Sequence, residues 1–485
     1  MDRTLKMTGD LWTWTAEELA DGIKTRKISS REALTSCLAR LEEVNPYVNA
    51  VVDVFPEEAF AVADSADDAV GTKKSLGPLH GVPITVKINV DYAGRATTNG
   101  VVAFKDRIVN EDSAIVSNLR KSGAVIFGRT NVPCFSTRLF TDNDLYGRTL
   151  NPWDPSRTPG GSSGGAAAAV AVGMGPLGHG NDRAGSIRFP AYACGVFGLR
   201  PSIGRVPEFS PGSAEERGIT SQLTNTQGPL GRSIGDLRLG LAAMSARDHR
   251  DPWWLPACQD PRTRVQPTRV ALFATMPDRD IDPIVSASIR QAGKWLEEAG
   301  YEVEEAAPPR FAEAAHLFWD LVMTEERTAS AEEKAASTRA IEIFGDEAVK
   351  RNRRGTLKYS KPFDFSGYIR GLARRSSILR EWLTFLERFP LLVMPVSWKL
   401  PFPIDYDQKG DDAVHLTHLA LQPSIATSLL GLPGLAIPIT LNEGVPVGVQ
   451  FVAGRYQDEL CLSAGDVIQA RSLVKTPIDP VRSSG

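Results

Sequence analysis

Cysteine and histidine are both scarce in this sequence. The five cysteines, Cys37, Cys134, Cys194, Cys258 and Cys461, are odd in number and far apart. With no C-x-x-C pair they suggest neither a disulfide framework nor a zinc site, and a reducing, cytoplasmic setting fits best. Six histidines, His80, His179, His249, His316, His415 and His418, leave few candidates for the commonest general base. His415 and His418 have helical i, i+3 spacing, but no third metal ligand stands out. No apolar run reaches the roughly 20 residues that span a bilayer; residues 164–178 are too few and too rich in glycine. Residues 1–14 lack the apolar core of a signal peptide. A net charge of −3 gives no general attraction to nucleic acid or to anionic membrane, so neither is expected as a partner. The basic runs at 350–354 and Arg374-Arg375 read as solvated helix faces.

What is present suits a folded enzyme. The chain has 485 residues, 42% apolar and 23% charged, enough for one large α/β domain. Thr15-Ala16-Glu17-Glu18 and Ser29-Ser30-Arg31-Glu32 have capping-box spacing and predict two helices. After the second box, Ala33, Leu34, Cys37, Leu38 and Leu41 fall on one face, so residues 1–60 read as covering helices. Short β-branched runs at 83–90, at 124–128 and beyond Leu199 alternate with helical stretches, which predicts a central mixed sheet flanked by helices. Long Gly/Pro/Asn/Thr-rich loops at 91–112 and 140–165 read as site-building. Val270 to Phe273 and Leu391 to Pro395 read as strands. Between them the sequence is strongly helical, so residues 250–390 read as an inserted helical layer forming part of a pocket wall. Its aromatic candidates are Trp253, Trp254, Phe318, Trp319, Tyr359, Phe363 and Phe365. Residues 480–485 read as a loose tail.

The most unusual stretch is Gly160-Gly161-Ser162-Ser163-Gly164-Gly165, running into an alanine-rich helix. It is followed by Gly180-Asn181-Asp182-Arg183-Ala184-Gly185-Ser186-Ile187-Arg188. Upstream, Gly81-Val82-Pro83-Ile84-Thr85-Val86-Lys87-Ile88-Asn89 ends an apolar run on a lone lysine. Each alone has a bland explanation: a snorkelling lysine, a tight loop against a helix. Together they suggest a serine nucleophile activated by a buried lysine, since desolvation lowers a lysine pKa and leaves part of it neutral. Gly161-Ser162-Ser163-Gly164-Gly165 also satisfies G-x-S-x-G centred on Ser163, with His415 or His418 following late, as in an α/β-hydrolase esterase. Against that, residues 153–159 are turn-rich where the strand feeding the elbow would run.

These motifs resemble the amidase signature family of serine hydrolases, whose triad is Ser–cis-Ser–Lys. The likeness continues through Thr97-Thr98, Gly128-Arg129-Thr130-Asn131, Asn151-Pro152-Trp153-Asp154, Gly198-Leu199-Arg200-Pro201, and Gly228-Pro229 with Arg232 and Asp236. It resumes at Gly431-Leu432-Pro433 and Gly444-Val445-Pro446-Val447-Gly448-Val449-Gln450, covering roughly residues 15–245 and 390–475. The resemblance implies a single domain over residues 1–485, with its signature core at 61–247 and 390–475 and helices on both faces of the sheet. It implies Ser186 as nucleophile, Ser162 as proton relay behind a cis peptide, and Lys87 as base. The backbone N–H groups of Arg183, Ala184, Gly185 and Ser186 would form the oxyanion hole. It implies no metal or organic cofactor. The substrate would be a small or medium linear amide or carbamate, and the enzyme a monomer or homodimer. The glutamine-hydrolysing component of a tRNA-dependent amidotransferase shares the family and is the alternative. Three positions depart from the family pattern. Ile88 stands where Asp often follows the lysine, Ala184 replaces the first glycine before the nucleophile, and Arg183 replaces a small or aliphatic residue. Arg183 would pair with a carboxylate or touch a polar acyl group, and Ala184 would be strained if its position needs a positive φ.

Overall fold

The computed structural model describes residues 10–72, 75–213, 216–256, 268–277, 279–328 and 338–482. Residues 1–9, Cys258 and the end of the tail, 483–485, lie outside the described residues.

Both capping boxes form. Thr15 and Ser29 each accept the N–H of the glutamate three residues on, and that glutamate bonds back to the cap. They open helices Ala16–Lys24 and Ser30–Val48, the second burying Ala33, Leu34, Cys37 and Leu41. Ala16 N–H donates to Asp236 Oδ1 at 2.7 Å, which ties this cover to helix Ile234–Met244.

The covered sheet has eleven strands among the described residues. They are β1 (Val51–Val54), β2 (Pro83–Lys87), β3 (Val125–Thr130), β4 (Leu177–Asp182), β5 (Phe197–Arg200), β6 (Thr226–Gly231), β7 (Arg269–Leu272), β8 (Glu302–Glu305), β9 (Leu391–Met394), β10 (Gly434–Asn442) and β11 (Val445–Ala453). Their order is β1-β3-β2-β4-β6-β5-β10-β11-β9-β7-β8. The neighbours β3, β2 and β4 run parallel, as do β9, β7 and β8, and the other pairings are antiparallel. β2, β3, β6, β9 and β11 are buried along their whole length, so both faces of the sheet are covered. This is the mixed α/β architecture expected.

Two segments are richer than their sequence pattern suggested. Residues 1–60 contain β1, which pairs antiparallel with β3 at one edge. Within residues 250–390, read as a mostly helical layer, the strand expected at Val270 to Phe273 is β7, and a second strand that was not expected, β8, extends the sheet beyond it. β8 is Glu302-Val303-Glu304-Glu305 and largely exposed, so it carries no apolar period to find; charges on an edge strand blunt further pairing. The basic runs also need correction. Arg375 is buried, its Nε donating to the Leu429 carbonyl at 2.6 Å. Val481, in the supposed tail, donates its N–H to the Pro152 carbonyl at 2.9 Å. No helix among the described residues is long and apolar enough to cross a membrane.

Removing the Ser29 cap with Ser29→Ala should cost about 1 kcal/mol. Leu34→Ala, which opens a cavity under the same helix, should cost about 2–5 kcal/mol. Denaturant midpoints of the two variants check this. Equal losses would mean that helix Ser30–Val48 is held by its cap rather than by its buried face.

Candidate active site

Because β2 and β4 are parallel neighbours, their carboxyl ends open on the same side of the sheet. That is where α/β sheets bind ligands. Lys87 is the last residue of β2, and Asn181 and Asp182 are the last of β4. Lys87 is fully buried, and its Nζ lies 2.7 Å from Ser162 Oγ and 2.6 Å from Asn181 Oδ1. It makes no ion pair among the described residues. Burial pushes its pKa well below the usual lysine range, and Asp182 opposes this only in part.

His179 completes the floor. Its Nδ1 accepts the Lys87 N–H at 3.3 Å and its Nε2 lies 2.7 Å from Gln227 Oε1, an arrangement that suits a neutral ring. Burial holds that imidazole down at about 4, so it adds no charge beside Lys87.

The glycine loop delivers Ser162. The Gly161–Ser162 peptide bond is cis. Gly160 has φ +82°, and a Cβ there would lie 2.6 Å from Pro190 Cα, so no larger residue fits. Ser163 N–H donates to the Ser186 carbonyl at 3.2 Å, which locks this loop to the turn carrying Ser186.

That turn is built around the Asp182 carboxylate. Oδ1 accepts the Gly185 N–H at 2.7 Å, and Oδ2 accepts the Ile187 N–H at 3.2 Å and Arg188 Nε at 2.9 Å. Arg200 is a second buried cation beside it, at 3.5 Å. Burial alone would raise the Asp182 pKa, but the two guanidiniums and the Gly185 N–H hold it well below the usual carboxylate range. Gly185 takes φ +111°.

The expected oxyanion hole is corrected by this turn. Gly185 N–H is already committed to Asp182, so it is not a free donor. The N–H groups of Arg183, Ala184 and Ser186 make no hydrogen bond among the described residues. Ala184 does not take a positive φ, so alanine is unstrained there.

Ser162, Asn181, Ala184 and Ser186 open onto a cavity of about 460 Å³. Its far wall includes Phe318, Trp319 and Val322 from helix Phe311–Thr328, with Leu421 and Ile425. Of the seven aromatic candidates only Phe318 and Trp319 line it; Trp253 is instead 45% exposed and Phe365 79% exposed. Arg353, expected on a solvated face, lines the cavity and pairs with Glu326 at 3.4 Å. Arg183 lines it too, and among the described residues it has no carboxylate partner, one of the two contacts expected of it. Ser163 does not: it is fully buried and its Oγ donates to the Asn181 carbonyl at 3.4 Å. His418 stacks on Trp319 and His415 on Tyr359, so neither serves Ser163.

Sequence reasoning missed the amide chain beside Lys87. Asn181 Nδ2 donates to Asn89 Oδ1 at 3.1 Å, and Asn89 Nδ2 donates to Ser136 Oγ at 3.0 Å. Asn89 and Asn181 both stood inside the quoted motifs; the parallel pairing of their strands is what brings them together.

Comparison with known proteins agrees with this geometry. A model of the Amidase family matches residues 32–462. Over 465 residues the chain is 40% identical to an indoleacetamide hydrolase of Bradyrhizobium diazoefficiens, covering 96% of this chain and 87% of that protein. Over 478 residues it is 32% identical to a component of the glutamyl-tRNA(Gln) amidotransferase of Moorella thermoacetica, covering 94% and 96%. Among solved structures, a substrate complex of 6-aminohexanoate cyclic dimer hydrolase superimposes with a TM-score of 0.80 at 25% identity, covering 96% of this chain and 99% of that one. The fold and these relatives define a hydrolase of C–N bonds. Within that class the chain belongs to the amidase signature family.

Asp182→Asn leaves two buried guanidiniums without a full counter-charge. The loss expected for breaking a buried pair is about 3–5 kcal/mol. A lowered denaturant midpoint together with reduced activity is the expected result. An unchanged midpoint would mean that the turn is held by its backbone contacts alone.

Proposed function

We propose that the protein hydrolyses a linear amide through an acyl-enzyme on Ser186, with Ser162 and Lys87 moving the proton. The observation that carries this reading is the 2.7 Å contact between Ser162 and a fully buried Lys87 that has no counter-ion among the described residues. A lysine so desolvated is neutral at a pH where a surface lysine is charged, and a neutral amine is a base. Ser186 Oγ attacks the carbonyl carbon as Ser162 takes its proton and passes its own to Lys87 Nζ. The carbonyl oxygen becomes an oxyanion that accepts hydrogen bonds from the free N–H groups of the 183–186 turn, donors fixed before the charge develops. Collapse expels the amine, which takes its proton back along Ser162 from Lys87. Water then repeats the sequence on the acyl-enzyme and frees the acid.

An arylacetamide is the substrate class best supported. The indoleacetamide hydrolase relative names such a compound, and the Phe318–Trp319 wall offers flat apolar surface for its ring. Aryl carbamates present the same electrophilic carbonyl and are the comparison class. A second reading, as the glutamine-hydrolysing component of an amidotransferase, is favoured only by the more distant likeness at 32% identity. Assaying a 2-arylacetamide, a matched aryl carbamate and glutamine side by side separates the three. Turnover of glutamine alone would replace the arylacetamide reading.

Lys87→Ala, Ser162→Ala and Ser186→Ala should each lower kcat by about a thousandfold or more. The Lys87/Ser162 double variant should be little worse than either single, because groups in one relay fail together. Ser163→Ala should be far milder. Full activity in Ser186→Ala would sink the assignment.

The pH profile follows from the sign of the Lys87 shift. Its pKa is lowered, so the neutral base accumulates below the ordinary 10.5 and is lost as pH falls through the depressed value. kcat/KM should rise with pH through that value and then level off. A profile flat to acid pH would argue against a lysine base.

A further inference from the structure

Among the described residues the charged groups around the cavity are not balanced: three arginines line it, Arg183, Arg217 and Arg353, against one carboxylate, Glu326. Arg217 is salt-bridged to Glu208, and Arg353 lies 3.4 Å from Glu326. Arg183 has no ion pair and no side-chain hydrogen bond among the described residues, and its buried Nε is left without a partner. Burial pulls the Arg217 pKa down, and the Arg183 charge pulls it further, so the two guanidiniums repel each other. Burial also raises the Glu326 pKa, which weakens the carboxylate that lines the cavity with Arg183. A half-buried guanidinium in this position carries an unmet demand for an anion.

Helix Phe311–Thr328 gives that demand a direction. Phe318, Val322 and Glu326 lie four residues apart on one face, all facing the cavity. Over roughly 12 Å of helix, at about 1.5 Å per residue, the wall changes from aromatic to charged. Arg183 belongs to the charged end, close enough to Glu326 that its charge offsets part of the rise that burial imposes on the Glu326 pKa. A ligand that fills the cavity end to end would be apolar at one end and anionic at the other.

Resting on the hydrolase reading above, we propose that Arg183 is a specificity residue that receives a carboxylate on the acyl part of the substrate. The preferred substrates are then arylacetamides that carry an additional acidic group. The planar guanidinium matches a carboxylate in a two-pronged contact that lysine cannot reproduce. The anion also relieves the Arg183–Arg217 repulsion, which a neutral arylacetamide leaves in place.

The test compares phenylacetamide with 3- and 4-carboxyphenylacetamide in the wild type, Arg183→Met and Arg183→Lys. The wild type should favour one carboxylated amide by about tenfold or more in kcat/KM, the scale of one charge-assisted contact. That ratio should collapse in Arg183→Met and persist in part in Arg183→Lys. A wild-type ratio at or below one, or a ratio unchanged in Arg183→Met, would overturn the proposal while the amide turnover itself upheld the hydrolase. If no amide were turned over, the hydrolase reading would fail instead. Calorimetric binding of 3- and 4-carboxyphenylacetate to Ser186→Ala then decides the anion site. An affinity at least about tenfold weaker in Arg183→Met/Ser186→Ala supports it, and equal affinity refutes it.

Discussion

Everything at this site depends on keeping one amine in the protein interior without a carboxylate beside it. Lys87 is satisfied by a serine oxygen and an amide oxygen. A carboxylate would stabilise the ammonium and remove the base; an amide oxygen accepts an N–H from either form. In the neutral amine the 2.7 Å contact also runs the other way, with the Ser162 O–H donating to the Nζ lone pair. The Ile88 departure from the family pattern fits this constraint. Residue 88 is fully buried, and an aliphatic side chain there adds no negative charge near the amine.

Negative charge is needed nearby all the same, because the 183–187 turn needs an anchor. Asp182 supplies it, and because two guanidiniums share that carboxylate, its charge offsets the lowering of the Lys87 pKa only in part. Arg188 and Arg200 are themselves fully buried, and burial pulls Arg200 down to about 9 despite Asp182. The three groups therefore act as one buried, net positive cluster rather than as separate ions. The consequence for chemistry is the orientation of backbone N–H groups. By accepting the Gly185 and Ile187 donors, Asp182 fixes the turn and leaves the alternate donors of Ala184 and Ser186 uncommitted. One carboxylate thus tightens the loop that carries Ser186 without consuming the donors next to it.

What the sequence disclosed about this arrangement was local, and what it hid was not. Capping boxes at Thr15 and Ser29 act over four residues, and they were legible because the hydrogen bonds lie within the motif itself. The resemblance likewise marked Lys87, Ser162 and Ser186; of these, Lys87 and Ser162 meet directly at 2.7 Å, the lysine ending β2 and the serine delivered by the glycine loop. Asn89 and Asn181 were in view but mute, since an asparagine in a loop motif has no distinguishing signature until its partner is known. β8 was invisible because an exposed edge strand of glutamates has no apolar alternation. Arg353 and Arg375 were misjudged for the converse reason. Runs of basic residues on a helix usually face water, and only tertiary packing reveals which one turns inward to a glutamate or a helix-end carbonyl. Gly185 N–H reads from the sequence as one of four free donors because the side chain that captures it, Asp182, looks like part of the motif rather than its anchor.

The chemical and recognition halves of the cavity come from different parts of the chain, so something must hold them in register. Lys87 and Asn181 sit on the carboxyl ends of β2 and β4, while the apolar wall comes largely from helices between residues 311 and 430. Arg138 provides one link. Its buried side chain meets the equally buried Asp407 in a two-pronged contact, Nε to Oδ2 and Nη2 to Oδ1 at 2.9 Å each. Asp407 Oδ2 also accepts Asn352 Nδ2 at 3.4 Å, and Asn352 lies on the cavity wall. The backbone of Arg138 meanwhile presses on the catalytic loop: its carbonyl oxygen would stand 2.5 Å from any Cβ at Gly161. A glycine is therefore required beside Ser162 by the same residue that grips the wall.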